Sequence, residues 1–128
     1  MSTLIRVVVG VILVAHGLVH LLYLTLDAQD PSYPFTLERS VLPEAARRPV
    51  AYLLLGASVA AFALLGLAIS GLPILADVWA PLAIAAASAS LALLIAFWDT
   101  RLLTGVAIDL VLVVIAVSRP EWTDRLTT

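Results

Sequence analysis

Two histidines and one aspartate are the residues of this sequence whose types and spacing suit chemistry inside a membrane. His16 and His20 lie four residues apart in the run AHGLVHLLY, and Asp109 lies in the run GVAIDLVLVV. Ionisable side chains are rare inside apolar segments and usually face a bundle interior or a water-filled cavity. A histidine beside a carboxyl group can share a proton, bind a polar headgroup or hold a metal. These three residues are therefore the first candidates for a ligand or proton site.

The composition places the surrounding chain in a lipid bilayer. Of the 128 residues, 62% are hydrophobic and 12% are charged, and the mean hydropathy is +1.10. Soluble domains are about half apolar and about a quarter charged. The net charge is −2 without a basic run, so we expect no nucleic-acid partner. There is no cysteine, which excludes disulfides, thiol nucleophiles, iron–sulfur clusters and Cys-bound zinc.

Four long apolar runs predict an all-α integral membrane protein, with residues 1–128 forming one domain built as an up-down four-helix bundle. Each run is long enough to cross a hydrocarbon core of about 30 Å. The predicted spans cover about residues 4–26, 50–70, 78–98 and 102–118, with an aqueous loop at 27–49 and a polar tail at 119–128. Within the loop, Pro43–Arg48 suits a short surface helix. The first run exceeds the apolar core of a signal peptide, so we expect an uncleaved helix.

Depth along the spans predicts that every helix places a polar group in one layer. If the spans alternate in direction, both termini lie on one side of the membrane (side A), and the loop at 27–49 lies on the other (side B). Counted from side B at about 1.5 Å per residue, His20, Asp109, Ser58 and Ser90 lie about 9–12 Å deep, and His16 lies one turn deeper. We therefore expect a shared polar layer with a histidine–carboxylate pair between the first and fourth spans.

The polar layer has a predicted path to water along the first span. His16, His20, Tyr23 and Asp27 follow the spacing i, i+4, i+7, i+11, which keeps them on one helix face. This face leads from the middle of the membrane to side B.

Small residues predict close helix packing within the bundle. Gly56 with Ala60 and Ala57 with Ala61 are spaced four apart in the second span, and the third span contains the run AIAAASASLA. Lipid supplies no hydrophobic drive between helices, so small residues must let the backbones approach. We expect these faces to pack inside one chain rather than to form a dimer, with the third span as the central helix.

The residue types leave three roles open for the polar layer. Histidine and aspartate can serve only as interhelical hydrogen bonds, worth about 0.6 kcal/mol each on average. They can also form a proton or ligand site, for a quinone-like molecule or as one axial ligand of a haem whose other ligand comes from a partner. Finally, His16 and His20 have the spacing that binds one Zn²⁺ or Cu²⁺ from a single helix face.

The runs AHGLVHLLYL and LALLIAFWDTRLLTGVAIDLVLVV, with the acidic, proline-rich first loop, resemble small bacterial four-helix membrane proteins of the DoxX-like group. The resemblance covers the whole chain in layout and those two runs in residues. It implies a compact bundle in a bacterial cytoplasmic membrane, often an accessory to redox or transport systems, and it carries no catalytic residue over to this chain. Small multidrug transporters also have four short helices, but the first carries a glutamate where this chain has histidines.

We therefore expect a non-enzymatic accessory or ligand-binding subunit of a larger membrane redox or transport complex. Its partners would be lipid and either other membrane subunits or further copies of itself. One alternative is a homo-oligomeric, proton-coupled transporter of small molecules that uses Asp109, His16 and His20, and another is an intramembrane metalloenzyme. Three arginines fall on side A and four on side B, so the orientation in the membrane stays open.

Overall fold

The computed structural model describes residues 2–24 and 34–126, which form helices, turns and short loops without a strand. Four helical segments (3–24, 44–70, 79–96 and 100–118) are long and apolar enough to cross a membrane. The α-helices are α1 (Thr3–Val19), α2 (Glu44–Ser70), α3 (Pro73–Ala76), α4 (Trp79–Ala96) and α5 (Leu103–Ser118), with 3₁₀ turns at His20–Leu24, Thr100–Leu102 and Glu121–Leu126. The predicted all-α four-helix bundle is confirmed, and the chain is an integral membrane protein.

The second span begins six residues earlier than the sequence predicted. Glu44–Ser70 is one continuous helix, so the short surface helix expected near residues 43–48 is its first part. Pro49 lies inside this helix, where its missing N–H deprives only the first-turn carbonyl of Ala45 of a partner. Arg47 donates to the carbonyls of Leu42 and Glu38, both at 3.1 Å, and so ties the preceding loop to the helix.

The connection between α2 and α4 contains a short helix. Gly71 ends α2 with φ 105°, a left-handed conformation that glycine adopts at no steric cost. Pro73 then begins α3 at a first-turn position that suits its fixed φ. Two changes of chain direction therefore fit between the second and third spans.

Neighbouring helices pack in the order α1 on α2, α2 on α4 and α4 on α5, whereas α1 and α5 meet through few residues. Glycines bring α1 and α2 into backbone contact. A Cβ atom added to Gly10 would lie 2.6 Å from the carbonyl oxygen of Gly66, and one added to Gly66 would lie 2.7 Å from that of Gly10. The α1–α2 interface is therefore the closest approach of backbones, and the α1–α5 seam is the loosest.

The small-residue prediction is confirmed for α4 and is wrong for part of α2. α4 is the most buried of the four spans, and most of its buried residues are small: Ala80, Ala83, Ala86, Ala87, Ser90 and Ala96, beside the larger Trp79, Leu93 and Leu94. In α2, by contrast, Gly56, Ala57 and Ala60 are exposed, and a Cβ added to Gly56 would meet nothing within 4 Å. The inward face of α2 instead combines large residues, including Leu55, Phe62 and Leu65, with other small ones, such as Gly66 and Ala68.

The side-B end of α4 is covered by the segment that precedes α2. Ser40 Oγ donates to the carbonyl of Ala96 at 2.7 Å, and the backbone N–H of Val41 donates to the same oxygen at 3.2 Å. These bonds satisfy a carbonyl that the end of the helix leaves without an intrahelical donor. Arg39 pairs with Asp99 at 2.9 Å just beyond α4. The loop is thus attached to the end of the bundle where the predicted polar layer lies.

Candidate functional site

A histidine–carboxylate pair joins α1 to α5. His16 Nε2 lies 3.1 Å from Asp109 Oδ1, and the Asp109 side chain is fully buried. The pair predicted between the first and fourth spans is therefore present. The depth count placed His20 level with Asp109, yet His16 is the histidine in direct contact. The predicted span ends differ from the observed ones. A residue's depth counted from them is therefore accurate only to about one helical turn.

His20 reaches Asp109 through a serine of α4. Ser90 Oγ lies 2.5 Å from Asp109 Oδ2, and His20 Nε2 lies 2.7 Å from Ser90 Oγ. His20, Ser90 and Asp109 are all buried. We call these four residues (His16, Asp109, Ser90 and His20) the network. It joins three of the four spans through side-chain hydrogen bonds.

The orientation of the His20 ring is fixed by the backbone of α1. Its Nδ1 lies 3.0 Å from the carbonyl oxygens of both His16 and Gly17. His20 is also the residue at which α1 gives way to a 3₁₀ turn, so carbonyls of the last α-helical turn are within reach of the ring. This arrangement points Nε2 away from α1 and toward Ser90.

α2 contributes an aromatic wall to the network instead of a polar group. Phe62 is fully buried, meets the His16 ring edge-on with centroids 4.9 Å apart, and stacks on the His20 ring with centroids 6.2 Å apart. Ser58 is also fully buried, but its Oγ has no hydrogen-bond partner among the described residues. Ser58, the polar group predicted for α2, is therefore buried in the bundle but is not hydrogen-bonded to the network.

Phe62 is absent from the predicted site because the polar residue types that predict it do not include an aromatic side chain. The available signal was Gly17, between the two histidines. A Cβ there would lie 2.5 Å from Phe62 Cβ, so the glycine admits the aromatic side chain beside both imidazoles. A glycine flanked by intramembrane histidines thus marks the position at which a neighbouring helix approaches the site.

Tyr23 lies outside the network, at the side-B end of the bundle. It is 4% exposed, its hydroxyl donates to the Phe97 carbonyl at 3.4 Å, and its ring packs edge-on against Phe35. Tyr23 therefore closes the end of the bundle and does not form the predicted path to water. The other residue of that path, Asp27, lies outside the described residues.

A groove of about 210 Å³ lies in the loose seam between α1 and α5 and leads to His16. Its walls are mainly apolar, and its polar lining comes from both histidines, Thr104 and Arg101. Gly105 keeps the groove open, because a Cβ there would lie 3.1 Å from Leu94 Cδ1 and 3.9 Å from His16 Cε1. Four lining residues are exposed on the outer surface of the bundle: Val19, Arg101, Thr104 and Ile108. The groove therefore opens sideways, toward lipid.

His16 offers this groove one free ring nitrogen. Its Nε2 is bonded to Asp109, whereas its Nδ1 has no hydrogen-bond partner in the part of the chain that the structure describes. Among those residues, Ser58 Oγ is the fully buried side-chain polar atom that has no hydrogen-bond partner. His16 Nδ1 also has no partner, and it is therefore not fully buried. An accessible nitrogen at the inner end of an apolar groove is a hydrogen-bonding point for a ligand.

The two imidazoles do not converge as metal ligands. Their planes lie at 86° with centroids 5.5 Å apart, and three of their four nitrogens are already hydrogen-bonded. Residues 2–24 and 34–126 contain no group of three side chains suited to hold a metal ion. The geometry therefore leaves one imidazole nitrogen free to bind a metal or a haem. The four-residue spacing of His16 and His20 had predicted that both imidazoles could bind the same metal ion.

No protein family, no curated protein and no solved structure matches this chain. The resemblance to DoxX-like proteins stays an expectation, and function is argued from the geometry.

Proposed function

We propose that this protein is a non-enzymatic integral membrane protein that binds the headgroup of a small, membrane-dissolved amphipathic molecule in the α1–α5 groove. In this proposal it serves as a ligand-binding or accessory subunit of a larger redox or transport complex in a bacterial cytoplasmic membrane. A quinone-like compound in its reduced, hydroxyl-bearing form is the ligand type that fits best. The observation that carries the proposal is the free Nδ1 of His16 at the inner end of an apolar groove that opens toward lipid.

The shape of the groove favours a headgroup rather than a whole ligand. Its volume of about 210 Å³ is below the roughly 300–1,000 Å³ of typical small-molecule pockets. A ring-sized headgroup fits this space, while an attached tail stays in the lipid beyond Val19 and Ile108. Apolar walls with a few placed polar groups are the usual lining of such sites.

A purely structural role for the network does not account for the groove. Hydrogen bonds among Asp109, Ser90 and His20 would hold α1, α4 and α5 together whether or not the α1–α5 seam were filled. Gly105 leaves that seam open where a larger side chain would close it over His16. Asp109 and Phe62 also hold the His16 ring in one orientation, which preorganises Nδ1 for binding.

Binding to the groove is tested with the purified protein in lipid nanodiscs. We expect para-decylphenol to bind above the background of empty nanodiscs, and Gly105→Val to weaken binding by about tenfold or more, because the valine side chain enters the groove beside His16. Gly56→Val makes the same change where a Cβ meets nothing within 4 Å, so it should bind like the wild type. Equal binding by Gly105→Val and the wild type would refute the groove as the site.

The role as a subunit is tested by native purification in mild detergent, followed by mass spectrometry and an absorption spectrum. We expect further membrane subunits, and any pigmented cofactor that they hold, to accompany the protein. Recovery as a pure homo-oligomer would contradict the accessory role.

Such a homo-oligomer would support a second function, a proton-coupled transporter. The continuous hydrogen bonding from His16 through Asp109 and Ser90 to His20 favours it, because a proton delivered at the groove has a buried acceptor. In proteoliposomes containing a pH-sensitive dye, substrate-driven proton movement should then depend on Asp109 and be lost in Asp109→Asn. No proton movement with the wild type would exclude this function.

A further inference from the structure

The direction of the hydrogen bonds in the network is set at His20. Carbonyl oxygens can only accept, so the Nδ1 that lies 3.0 Å from two of them carries a hydrogen. In a neutral imidazole the other nitrogen is then an acceptor. His20 Nε2 therefore accepts from the Ser90 hydroxyl, 2.7 Å away. This tautomer is assigned from the bonding partners, as is usual for histidine.

The Ser90 hydroxyl has one hydrogen and two close hydrogen-bonding neighbours, His20 and Asp109. Because it can donate to only one of them, the protonation state of the Asp109 carboxyl group is restricted. When Ser90 donates to His20, the 2.5 Å contact with Asp109 Oδ2 requires Asp109 to be protonated on that oxygen. When Ser90 donates to an ionised Asp109, His20 Nε2 must donate to Ser90, so His20 is an imidazolium. These two arrangements of the hydrogens have the same net charge. In the first, Asp109 and His20 are both neutral, so no ion is buried.

Both arrangements give His16 the same tautomer. In each, Asp109 Oδ1 carries no hydrogen and accepts from His16 Nε2, which lies 3.1 Å away. A neutral His16 then has a lone pair on Nδ1. The two backbone carbonyls beside His20 thus determine, through Ser90 and Asp109, that the groove ends in a hydrogen-bond acceptor.

We infer that the groove selects ligands with a hydroxyl donor, of the phenol, hydroquinone or fatty-alcohol class, over ligands whose headgroup offers only carbonyl or ether oxygens. A hydroxyl donates to His16 Nδ1, whereas a carbonyl or ether oxygen directs its lone pairs at the lone pair of the nitrogen. Among the other lining residues, Thr104 and Arg101 carry side-chain hydrogen-bond donors, and both are exposed on the outer surface, whereas Val19, Leu94 and Ile108 carry none. This selectivity rests on the proposed function, since it concerns the same groove.

Three matched, redox-inert probes test the selectivity in nanodiscs: para-decylphenol, para-decylanisole and para-decylbenzaldehyde. We expect the phenol to bind about tenfold or more tightly than the other two, the ratio expected when a buried acceptor is left unpaired. Equal binding of all three, with loss of binding in Gly105→Val, would overturn the selectivity and leave the groove proposal standing. No binding of any probe would overturn both.

A variant of His16 connects the selectivity to the imidazole. His16→Phe keeps an aromatic ring beside Phe62 but removes the acceptor, so the phenol should lose its advantage over the anisole. Ser88→Ala is the control, because Ser88 is exposed on α4 and belongs neither to the groove nor to the network. The preference for phenol should persist in Ser88→Ala. Its persistence in His16→Phe would refute the role of His16.

The tautomers can be read without any ligand. The chain has two histidines, so ¹⁵N NMR of histidine-labelled protein shows four ring nitrogens, and His20→Gln assigns them. We expect the signal of an unprotonated nitrogen at His16 Nδ1 and of a protonated one at His16 Nε2. Addition of para-decylphenol should shift His16 Nδ1 and leave the His20 signals in place. A protonated His16 Nδ1 in the free protein would overturn the inference.

Discussion

Ser90 Oγ and Asp109 Oδ2 lie 2.5 Å apart in the interior of the bundle, so a hydroxyl of α4 and a carboxyl group of α5 form one hydrogen-bonded unit. Both side chains are fully buried, and each also bonds to a histidine of the first span. In lipid, a polar group that loses its partner finds no water to replace it. The stability of the fold is therefore sensitive to both residues, in ways that depend on which donors and acceptors a substitution keeps.

Asp109→Asn should leave the free energy of unfolding within about 1 kcal/mol of the wild type, because the amide supplies one acceptor and one donor in the required positions. Asp109→Ala should lower it by about 2–3 kcal/mol, since His16 and Ser90 both lose a buried partner. Reversible unfolding in mixed micelles measures both variants. Equal destabilisation by the two would show that the carboxyl group is ionised and that its charge is required.

Ser90→Ala should lower the free energy of unfolding by about 1–3 kcal/mol, because it leaves Asp109 Oδ2 and His20 Nε2 unpaired. Ser88→Ala is the matched control, since Ser88 lies two residues earlier on the same helix and is exposed. We expect that variant to unfold within about 0.5 kcal/mol of the wild type. If the two alanine variants have the same stability, the Ser90 bridge does not contribute.

Ser58→Ala should stabilise the protein, by about 1 kcal/mol, in contrast to Ser90→Ala. The Ser58 hydroxyl is fully buried without a partner among the described residues, so the wild type bears a desolvation cost that the alanine removes. The same unfolding assay in micelles measures the change. A lower stability would mean that a buried water satisfies this hydroxyl.

Gly66→Ala should destabilise the α1–α2 interface by about 2 kcal/mol or more, because its Cβ would lie 2.7 Å from the carbonyl oxygen of Gly10 and force the helices apart. Gly56→Ala, in the same helix, meets nothing within 4 Å and should raise stability by up to about 1 kcal/mol through helix propensity. Thermal unfolding in detergent compares the pair. If the two changes have similar effects, the close backbone approach is not required for the fold.

The sequence was sufficient to predict the spans and the histidine–carboxylate pair, because the bilayer imposes a minimum apolar length and demands partners for intramembrane ionisable groups. It did not show whether Ser58 or Phe62 faces the network. That depends on the rotation of α2, which is set by its contact with α1 at Gly10 and Gly66 and is a property of the pair of helices.

Two further differences have local causes. The sequence predicts that the second span begins after Pro49, yet a proline near a helix start forfeits a single hydrogen bond, and the helix continues through it. Helical spacing predicts a path to water through Tyr23, yet the chain tightens into a 3₁₀ turn at His20, which changes the direction of the side chains that follow.

The position of Asp109 on the fourth span also bears on biosynthesis. Helices enter the bilayer in chain order, and an aspartate at the centre of a span adds about 2.5–3.5 kcal/mol to the free energy of membrane insertion. Ser90 and His16, which bind this carboxyl group, belong to spans that are synthesised earlier. We therefore expect α5 to leave the translocation machinery efficiently only when α1 and α4 are already side by side, so that insertion of this helix and assembly of the bundle are a single event.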